Sequence, residues 1–254
     1  GWAHMFSAVF TAAFFLLLTV KAVAIALVCG ALAVFATLVW CWQLDPPPRG
    51  RVEIGGGISL PIYMSGPSSH AWWAMIVLIL VAGSLYITFV FSYLYLWTVS
   101  PQVWPVVGAS PLPDLRWAAI GASLMLLGIL AFRIADRALP KPGSISLSAA
   151  LLMIAGPLCL IAGVGIEGYA QWRSGLRPGE NSYGAMVYLE IVLTGQLVAT
   201  VAVMTGFALA RLFAGKLDAQ RRVSFESATL LAYYTAAQGL LGFLLIHGFP
   251  RMLE

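Results

Sequence analysis

The sequence predicts an all-α polytopic membrane protein with seven transmembrane helices. Hydrophobic residues make up 61% of the 254 residues and charged residues only 9%, whereas ordinary soluble domains contain about 45–50% and about 25%. The mean hydropathy of +0.90 comes from long apolar runs spread over the whole chain, so most apolar side chains must face lipid or one another. This composition excludes a soluble globular enzyme.

The first apolar block, residues 5–42, is too long for a single membrane span. At about 1.5 Å per residue one helix would be about 57 Å long, almost twice the hydrocarbon core of about 30 Å. Lys21 would then lie near its centre, and a charged side chain there costs at least about 2.5 kcal/mol. The sequence therefore predicts a break at Lys21 and a tight hairpin of two spans, residues 4–20 and 22–42.

Five further apolar runs each meet the requirement of about 20 residues for a transmembrane helix. They cover residues 71–97, 117–135, 145–171, 183–210 and 226–247.

One long connection, residues 43–70, separates the hairpin from these five spans. Asp45-Pro46-Pro47-Pro48 is expected to stop the second helix, and Gly55-Gly56-Gly57 and Gly66-Pro67 to keep the rest irregular. The predicted organisation is a two-helix hairpin (1–42), a cytoplasmic Pro/Gly-rich linker (43–70) and a five-helix bundle (71–254).

The distribution of basic residues predicts the orientation, because lysine and arginine collect on the cytoplasmic side of membrane proteins. With loops placed on alternate sides, the larger group contains Arg49, Arg51, Arg133, Arg137, Lys141, Arg211, Lys216, Arg221 and Arg222. The smaller group contains Lys21, Arg116, Arg173, Arg177 and Arg251. The N-terminus is therefore expected in the cytoplasm and the C-terminus outside.

The residue types needed for redox chemistry are scarce. Haem or copper needs histidine, or cysteine with histidine, at ligand spacing, and the three histidines, His4, His70 and His247, all lie at predicted membrane boundaries. Interfacial anchoring or capping is the favoured interpretation of all three. The net charge of +4 is explained by topology, not by nucleic-acid binding. The sequence thus predicts no catalytic centre, no metal site and no nucleic-acid partner for this chain.

Two glutamates fall inside predicted spans and need an explanation, because an unpaired carboxylate in hydrocarbon is costly. Glu167 lies near the outer end of the fifth span and Glu190 about seven residues into the sixth. One interpretation is an interior pair with a neighbouring arginine or hydroxyl, and the candidates are Arg173, Arg177, Tyr183 and Tyr188. The other is a proton-handling or lipid-contact role. Because Glu190, Thr194 and Gln196 bring polar groups to one helix, a small secondary transporter or channel remains an alternative.

Packing and lipid contact have their own candidate residues. Gly121 and Gly128 are seven residues apart, as are Gly156 and Gly163, so each pair lies on one helical face and allows a neighbouring helix to approach closely. Arg211 ends the sixth span on the cytoplasmic side, where a guanidinium can bind a lipid phosphate through two hydrogen bonds. The alternative is a generic arginine of the cytoplasmic surface.

Four stretches at the ends of predicted spans carry a family resemblance. They are Ser69-His70-Ala71-Trp72-Trp73-Ala74-Met75, Phe91-Ser92-Tyr93-Leu94-Tyr95-Leu96-Trp97, Asn181-Ser182-Tyr183-Gly184 and Phe225-Glu226-Ser227. With these stretches the chain resembles subunit III of the haem-copper (cytochrome c) oxidases over essentially its full length. It is most similar to the form fused behind subunit I in some bacteria, which shares the ending from Ala237-Gln238-Gly239 to His247-Gly248-Phe249-Pro250. Such a fusion would explain a chain that begins at Gly1.

The resemblance implies an accessory, non-catalytic subunit of a proton-pumping terminal oxidase in the bacterial inner membrane. Its partners would be subunit I, as a separate chain or as one polypeptide with it, and subunit II. Haem and copper would belong to the partner subunits, which reduce oxygen, and this chain would hold structural phospholipids between its two helical pieces. A quinol oxidase or nitric oxide reductase with a related subunit is a further alternative.

The resemblance also assigns residues. In the family a tryptophan late in helix 2 and an arginine at the cytoplasmic end of helix 6 contact lipid, and these correspond to Trp42, or Trp40, and to Arg211. Glu167 matches a family glutamate, whereas Glu190 does not. The buried glutamate that the family usually carries in helix 3 is replaced here by Gly83.

Overall fold

The structure, a computed structural model, describes residues 1–44, 52–60, 66–105, 112–141 and 144–253. In this part of the chain seven helices are long and apolar enough to cross a membrane, which confirms the all-α polytopic membrane fold. They are α1 (Trp2–Thr19), α2 (Val23–Leu44), α3 (His70–Val99), α4 (Leu115–Arg137), α5 (Leu147–Arg173), α6 (Ser182–Phe213) and α7 (Val223–Phe243). After α7 the chain continues through a π-helical segment, Leu244–Gly248, into a final turn, α8 (Phe249–Met252).

The chain divides into two compact units, Gly1–Ile62 and Tyr63–Glu254. In the first unit the break at Lys21 is confirmed, because this residue adopts a φ of 60°. The Lys21 N–H donates to Leu18 O at 3.0 Å and the Ala22 N–H donates to Leu17 O at 2.9 Å. This is the Schellman pattern that ends many helices in a left-handed residue. Lysine serves at this point although glycine is the usual residue there.

Small and polar residues hold α1 against α2. The hydroxyls of Ser7 and Thr37 lie 2.6 Å apart, which satisfies both groups between the helices. A Cβ on Gly30 would lie 3.1 Å from the Phe14 ring, so the glycine is what lets this ring lie on the α2 backbone.

The predicted irregular linker contains a short β-hairpin, so the expectation was wrong for this stretch. Strand β1 (Val52–Glu53) pairs antiparallel with β2 (Ser59–Leu60). Gly55-Gly56-Gly57 forms the turn with φ values of 99°, 64° and 77°, and glycine adopts such angles without steric cost. Gly66 and Pro67 lie in a 3₁₀ turn, Gly66–Ser68. The predicted helix stop, Asp45-Pro46-Pro47-Pro48, lies outside the described residues.

In the second unit, side-chain caps begin four of the helices. Ser69, Asp114, Ser146 and Asn181 each accept a backbone N–H from the first turn of the helix that follows, and such caps satisfy donors that otherwise have no partner. In the first turn of α7, Glu226 accepts the Gly66 N–H at 2.9 Å. This bond ties the start of α3 to the start of α7.

Helices α4 and α5 pack through the two predicted glycine pairs. A Cβ on Gly163 would lie 3.0 Å from Gly121 O, and one on Gly128 would lie 3.1 Å from Gly156 O. The pairs therefore match in opposite directions along the two helices and bring the backbones into contact. The prediction of close helix packing is confirmed, and the packing lies within this chain.

Aromatic side chains fill the end of the bundle where α3 ends and α6 begins. The Trp104 ring is buried 5.4 Å from the Tyr93 ring and 5.2 Å from the Tyr183 ring. Phe249 of α8 lies 6.0 Å from Tyr93 and 5.2 Å from Trp97. This cluster holds α3, α6 and the chain after α7 together.

Candidate functional site

Glu167 forms a buried hydrogen-bonded site with the π-helical segment. Its two carboxylate oxygens lie 2.9 Å and 3.0 Å from Nε2 of His247. Nε2 of Gln171 donates to the carboxylate at 2.8 Å. The exposed fraction is only 1% for Glu167, 0% for Gln171 and 2% for His247. The contact between Glu167 and His247 joins α5 to the chain that follows α7.

This pairing corrects two predictions. Glu167 does not pair with Arg173 or Arg177, since Arg173 donates to the Tyr169 hydroxyl at 2.9 Å and Arg177 to the Trp172 carbonyl at 2.7 Å. His247 is not an interfacial anchor but a buried partner. The reason is the π-helical turn, which holds an additional residue and so rotates the following side chains out of α-helical register.

Glu190 lies on α6 with a different set of partners. It is 1% exposed, and the Thr194 hydroxyl donates to its Oε1 at 2.9 Å. Nε2 of Gln238 donates to Thr194 at 3.3 Å, and the Tyr234 hydroxyl donates to Gln238 at 2.8 Å. These hydrogen bonds form a continuous line from Tyr234 to Glu190, here called the Glu190 line, and every donor in it points towards the glutamate. Among the described residues, no arginine, lysine or histidine forms an ion pair with Glu190.

Gly242 on α7 is what lets the Glu190 carboxyl fit. A Cβ on Gly242 would overlap the Glu190 side chain, so the carboxyl rests directly on the α7 backbone. The line of hydrogen bonds and this contact together join α6 to α7. The predicted hydroxyl partner is therefore found on α6 itself, at Thr194, and not at Tyr183 or Tyr188.

A small cavity lies beside the Glu190 line, between α3, α6 and α7. Its volume is about 20 Å³, and its polar walls are Gln196, Gln238 and Tyr86. The Tyr86 hydroxyl is buried and has no hydrogen-bond partner in the described part of the chain. A cavity of this size admits about one water molecule.

Arg211 ends α6, as predicted, and is half-buried. Its guanidinium lies 5.8 Å from the Phe207 ring centre, and Nη2 lies 3.4 Å from Lys216 O. The other two predicted lipid-binding residues lie at the end of α2 in the first unit. Trp42 is half-buried there, and Trp40 is exposed with its ring 5.8 Å from the His4 ring.

Asp218 orders the loop that follows Arg211, a role that the sequence reasoning missed. Its carboxylate accepts the N–H groups of Gln220 and Arg221 at 2.9 Å and 2.8 Å, and the Arg221 guanidinium at 2.9 Å and 2.7 Å. Burial raises the pKa of Asp218, but the hydrogen bonds from Arg221 and Gln220 outweigh it and hold the pKa below its ordinary value. The Asp-x-x-Arg spacing that follows Gly215 could have indicated this role.

The described residues contain no group of three or more histidine, cysteine, aspartate or glutamate side chains that could hold a metal ion. Compared with models of known protein families and with curated protein sequences, the chain gives no match. The chemistry of the site must therefore be argued from its own residues. These provide two buried carboxyls in different environments and a basic residue at the end of α6.

Proposed function

We propose that this chain is an accessory, non-catalytic subunit of a haem-copper terminal oxidase in a bacterial inner membrane, comparable to subunit III. The partner subunits would carry the haem and copper and would reduce oxygen. This chain would stabilise subunit I and hold phospholipid. The electron donor, cytochrome c or quinol, would bind elsewhere in the complex, and a nitric oxide reductase complex remains an alternative of the same kind.

The proposal rests on the structural roles of the four stretches that resemble subunit III. Ser69 caps α3 and Asn181 caps α6. Glu226 accepts the Gly66 N–H, and Tyr93 and Tyr183 belong to the buried aromatic cluster. Each stretch thus serves to shape and join helices. Such a distribution supports a subunit whose contribution is packing.

The interior of the second unit supports the same proposal. Both Glu167 and Glu190 are engaged by neighbouring side chains, and the cavity beside Glu190 measures only about 20 Å³. That volume is about one water molecule, too small for a polar solute. Two wider grooves, of about 540 and 530 Å³, are lined almost entirely by apolar side chains and suit lipid chains or a neighbouring subunit.

Affinity purification from the native membrane in a mild detergent tests the proposal. We expect haem absorption bands in the optical spectrum of the purified material, because the partner subunits should accompany this chain. The affinity tag is best placed at the C-terminal end, next to the exposed residue Leu253. The detergent should be one that preserves membrane protein complexes. A colourless preparation that contains this chain alone would contradict the proposal.

A stand-alone secondary transporter or channel is the second candidate, favoured by the polar line of Glu190, Thr194 and Gln238 inside the bundle. Intramembrane carboxylates mark ion pathways in many transporters. Solute flux by the isolated chain in liposomes, abolished by Glu190→Gln and retained in Glu180→Gln at an exposed position, would support this function instead.

A further inference from the structure

The two buried glutamates of the second unit differ in one respect that matters chemically. Glu167 has a basic partner, since His247 Nε2 contacts both of its oxygens. Among the described residues, Glu190 accepts a side-chain hydrogen bond from the Thr194 hydroxyl alone. Both side chains are 1% exposed, so the difference lies in their neighbours and not in their access to solvent.

We propose that Glu190 is a proton-binding site inside the membrane, which carries its proton at neutral pH. This inference concerns the residues of this chain alone, so it goes beyond the proposed function and does not depend on it.

An unpaired charge on Glu190 would be costly. A buried charge is tolerated when a counter-ion and hydrogen bonds compensate for lost hydration, and otherwise the group becomes neutral. Glu190 forms no ion pair with any described residue, and the one described donor to its carboxyl is the neutral hydroxyl of Thr194. A protonated acid keeps that bond, because its carbonyl oxygen still accepts.

The surroundings of Glu190 leave little room for water. Gly242 lies so close that a Cβ there would overlap the carboxyl, so the α7 backbone covers one side of Glu190. The cavity nearby, with Gln238 in its wall, measures about 20 Å³. One water molecule fills such a cavity, and one water molecule cannot replace the hydration shell of an anion.

Titratable groups on three other helices lie around Glu190. Tyr86 on α3 and Glu167 on α5 interact with it electrostatically, and Tyr234 on α7 lies at the far end of the hydrogen-bonded line. None of these groups carries a positive charge.

Infrared spectroscopy of the full chain in lipid bilayers at pH 7 tests the proposal directly. A protonated carboxylic acid has a C=O stretching band that is separate from carboxylate bands, and the method needs no reagent to reach the buried group. We expect one such band, lost in Glu190→Gln and retained in the matched variant Glu167→Gln. Loss of the band in Glu167→Gln instead, or no protonated band in the wild type, would overturn the proposal.

A second variant assigns the band without removing the carboxyl. Thr194→Val deletes the donor to the Glu190 carbonyl oxygen and is nearly isosteric, so the band should persist at a higher frequency. A band that Thr194→Val leaves unmoved would contradict the assignment even if Glu190→Gln failed to fold. In heavy water the carboxyl proton of the wild type exchanges for deuterium, which shifts the band. This exchange should be at least about tenfold slower than that of exposed amide protons, since the site lies in the protected core.

Discussion

At the scale of single residues, the pair of Glu167 and His247 shows how an isolated histidine of the sequence acquires a role. Removing one partner of a buried hydrogen bond leaves the other polar group unpaired, which typically costs about 1–3 kcal/mol and more for a charged group. Replacing both members by apolar side chains costs much less. The contact should therefore be visible as a difference in the free energy of unfolding between the single variants and the double variant.

We expect His247→Leu and Glu167→Leu each to lower the free energy of unfolding by about 1–3 kcal/mol. The double variant should lose less than the sum of the two, by at least about 1 kcal/mol, because the residues contact each other. Denaturant unfolding in one fixed lipid–detergent mixture measures all three. Additive losses would show that the 2.9 Å contact does not couple the two residues.

Asp218 predicts a pH dependence of stability. Since its pKa is lowered in the folded protein, the carboxylate stabilises the fold above the unfolded-state pKa of about 3.9. This stabilisation is lost as the pH falls through the folded-state pKa. Asp218→Asn should therefore lower the free energy of unfolding by about 1–3 kcal/mol at pH 7. As the pH falls below the unfolded-state pKa of about 3.9 and through the folded-state pKa, the difference between the variant and the wild type should disappear.

Thermal unfolding followed by circular dichroism at several pH values measures this difference. Glu180→Gln is the control, because Glu180 is exposed and its replacement removes the same charge without a buried partner. A difference between Asp218→Asn and the wild type that stays constant down to low pH would argue against the role of the charge.

At the scale of secondary-structure elements, the glycine pairs decide how closely α4 and α5 approach. The atoms facing Gly163 include the Gly121 carbonyl oxygen, 3.0 Å from the position of an added Cβ. A backbone atom cannot rotate away as a side chain can. The two helices must therefore separate if a methyl group is inserted at this point.

We expect Gly163→Ala to lower the free energy of unfolding by about 1–3 kcal/mol, the usual cost of overpacking. Gly165→Ala is the matched control on the same helix, because an added Cβ there meets nothing within 4 Å. Its higher helix propensity should leave stability equal or raised by up to about 1 kcal/mol. Equal melting temperatures for the two variants would contradict the proposed close contact.

The π-helical segment is the element that the hydropathy pattern did not predict. The sequence predicted a single apolar run over 226–247, whereas the chain is α-helical to Phe243 and π-helical over Leu244–Gly248. A run of apolar residues indicates a span but not its local winding. The hydrogen bonds of a π-helical turn span only one residue more than those of an α-helical turn, so both conformations fit the same hydropathy pattern. The position of His247 follows from that winding.

At the scale of the whole molecule, the proposed lipid role of Arg211 makes a prediction about the purified complex. We expect Arg211→Ala to lower the phospholipid content and to shorten the working lifetime, while initial turnover stays nearly normal. The reason is that a guanidinium binds a phosphate through two hydrogen bonds, whereas the chemistry would lie in the partner subunits. Quantitative lipid mass spectrometry and activity traces measure the two effects.

Arg137→Ala is the matched control, because Arg137 is an exposed arginine at the end of α4 on the same predicted side of the membrane. It should leave both lipid content and lifetime unchanged. Equal effects of the two variants would indicate a generic cytoplasmic arginine, and unchanged lipid in Arg211→Ala would refute the assignment.

Much of the fold could be predicted from the sequence, because membrane insertion depends on the hydrophobicity and length of each segment. The seven spans, the break at Lys21 and the suitability of the two glycine faces for close packing all follow from local properties, whereas the pairing of α4 with α5 does not. The contacts of the candidate site residues could be predicted only in part. The sequence singled out Glu167 and Glu190 by the cost of burying a charge. The arginine partners proposed for Glu167 were wrong, whereas a hydroxyl partner was right in kind for Glu190 but is Thr194.

The sequence by itself determined that this chain crosses the membrane repeatedly, where its spans lie and which polar residues need a partner. Only the tertiary structure decided that Glu167 meets His247 and that Glu190 lies on Gly242 within reach of Thr194. The physical reason is distance along the chain. Hydropathy is a property of neighbouring residues, whereas a contact between α5 and the end of α7 depends on how every helix between them packs.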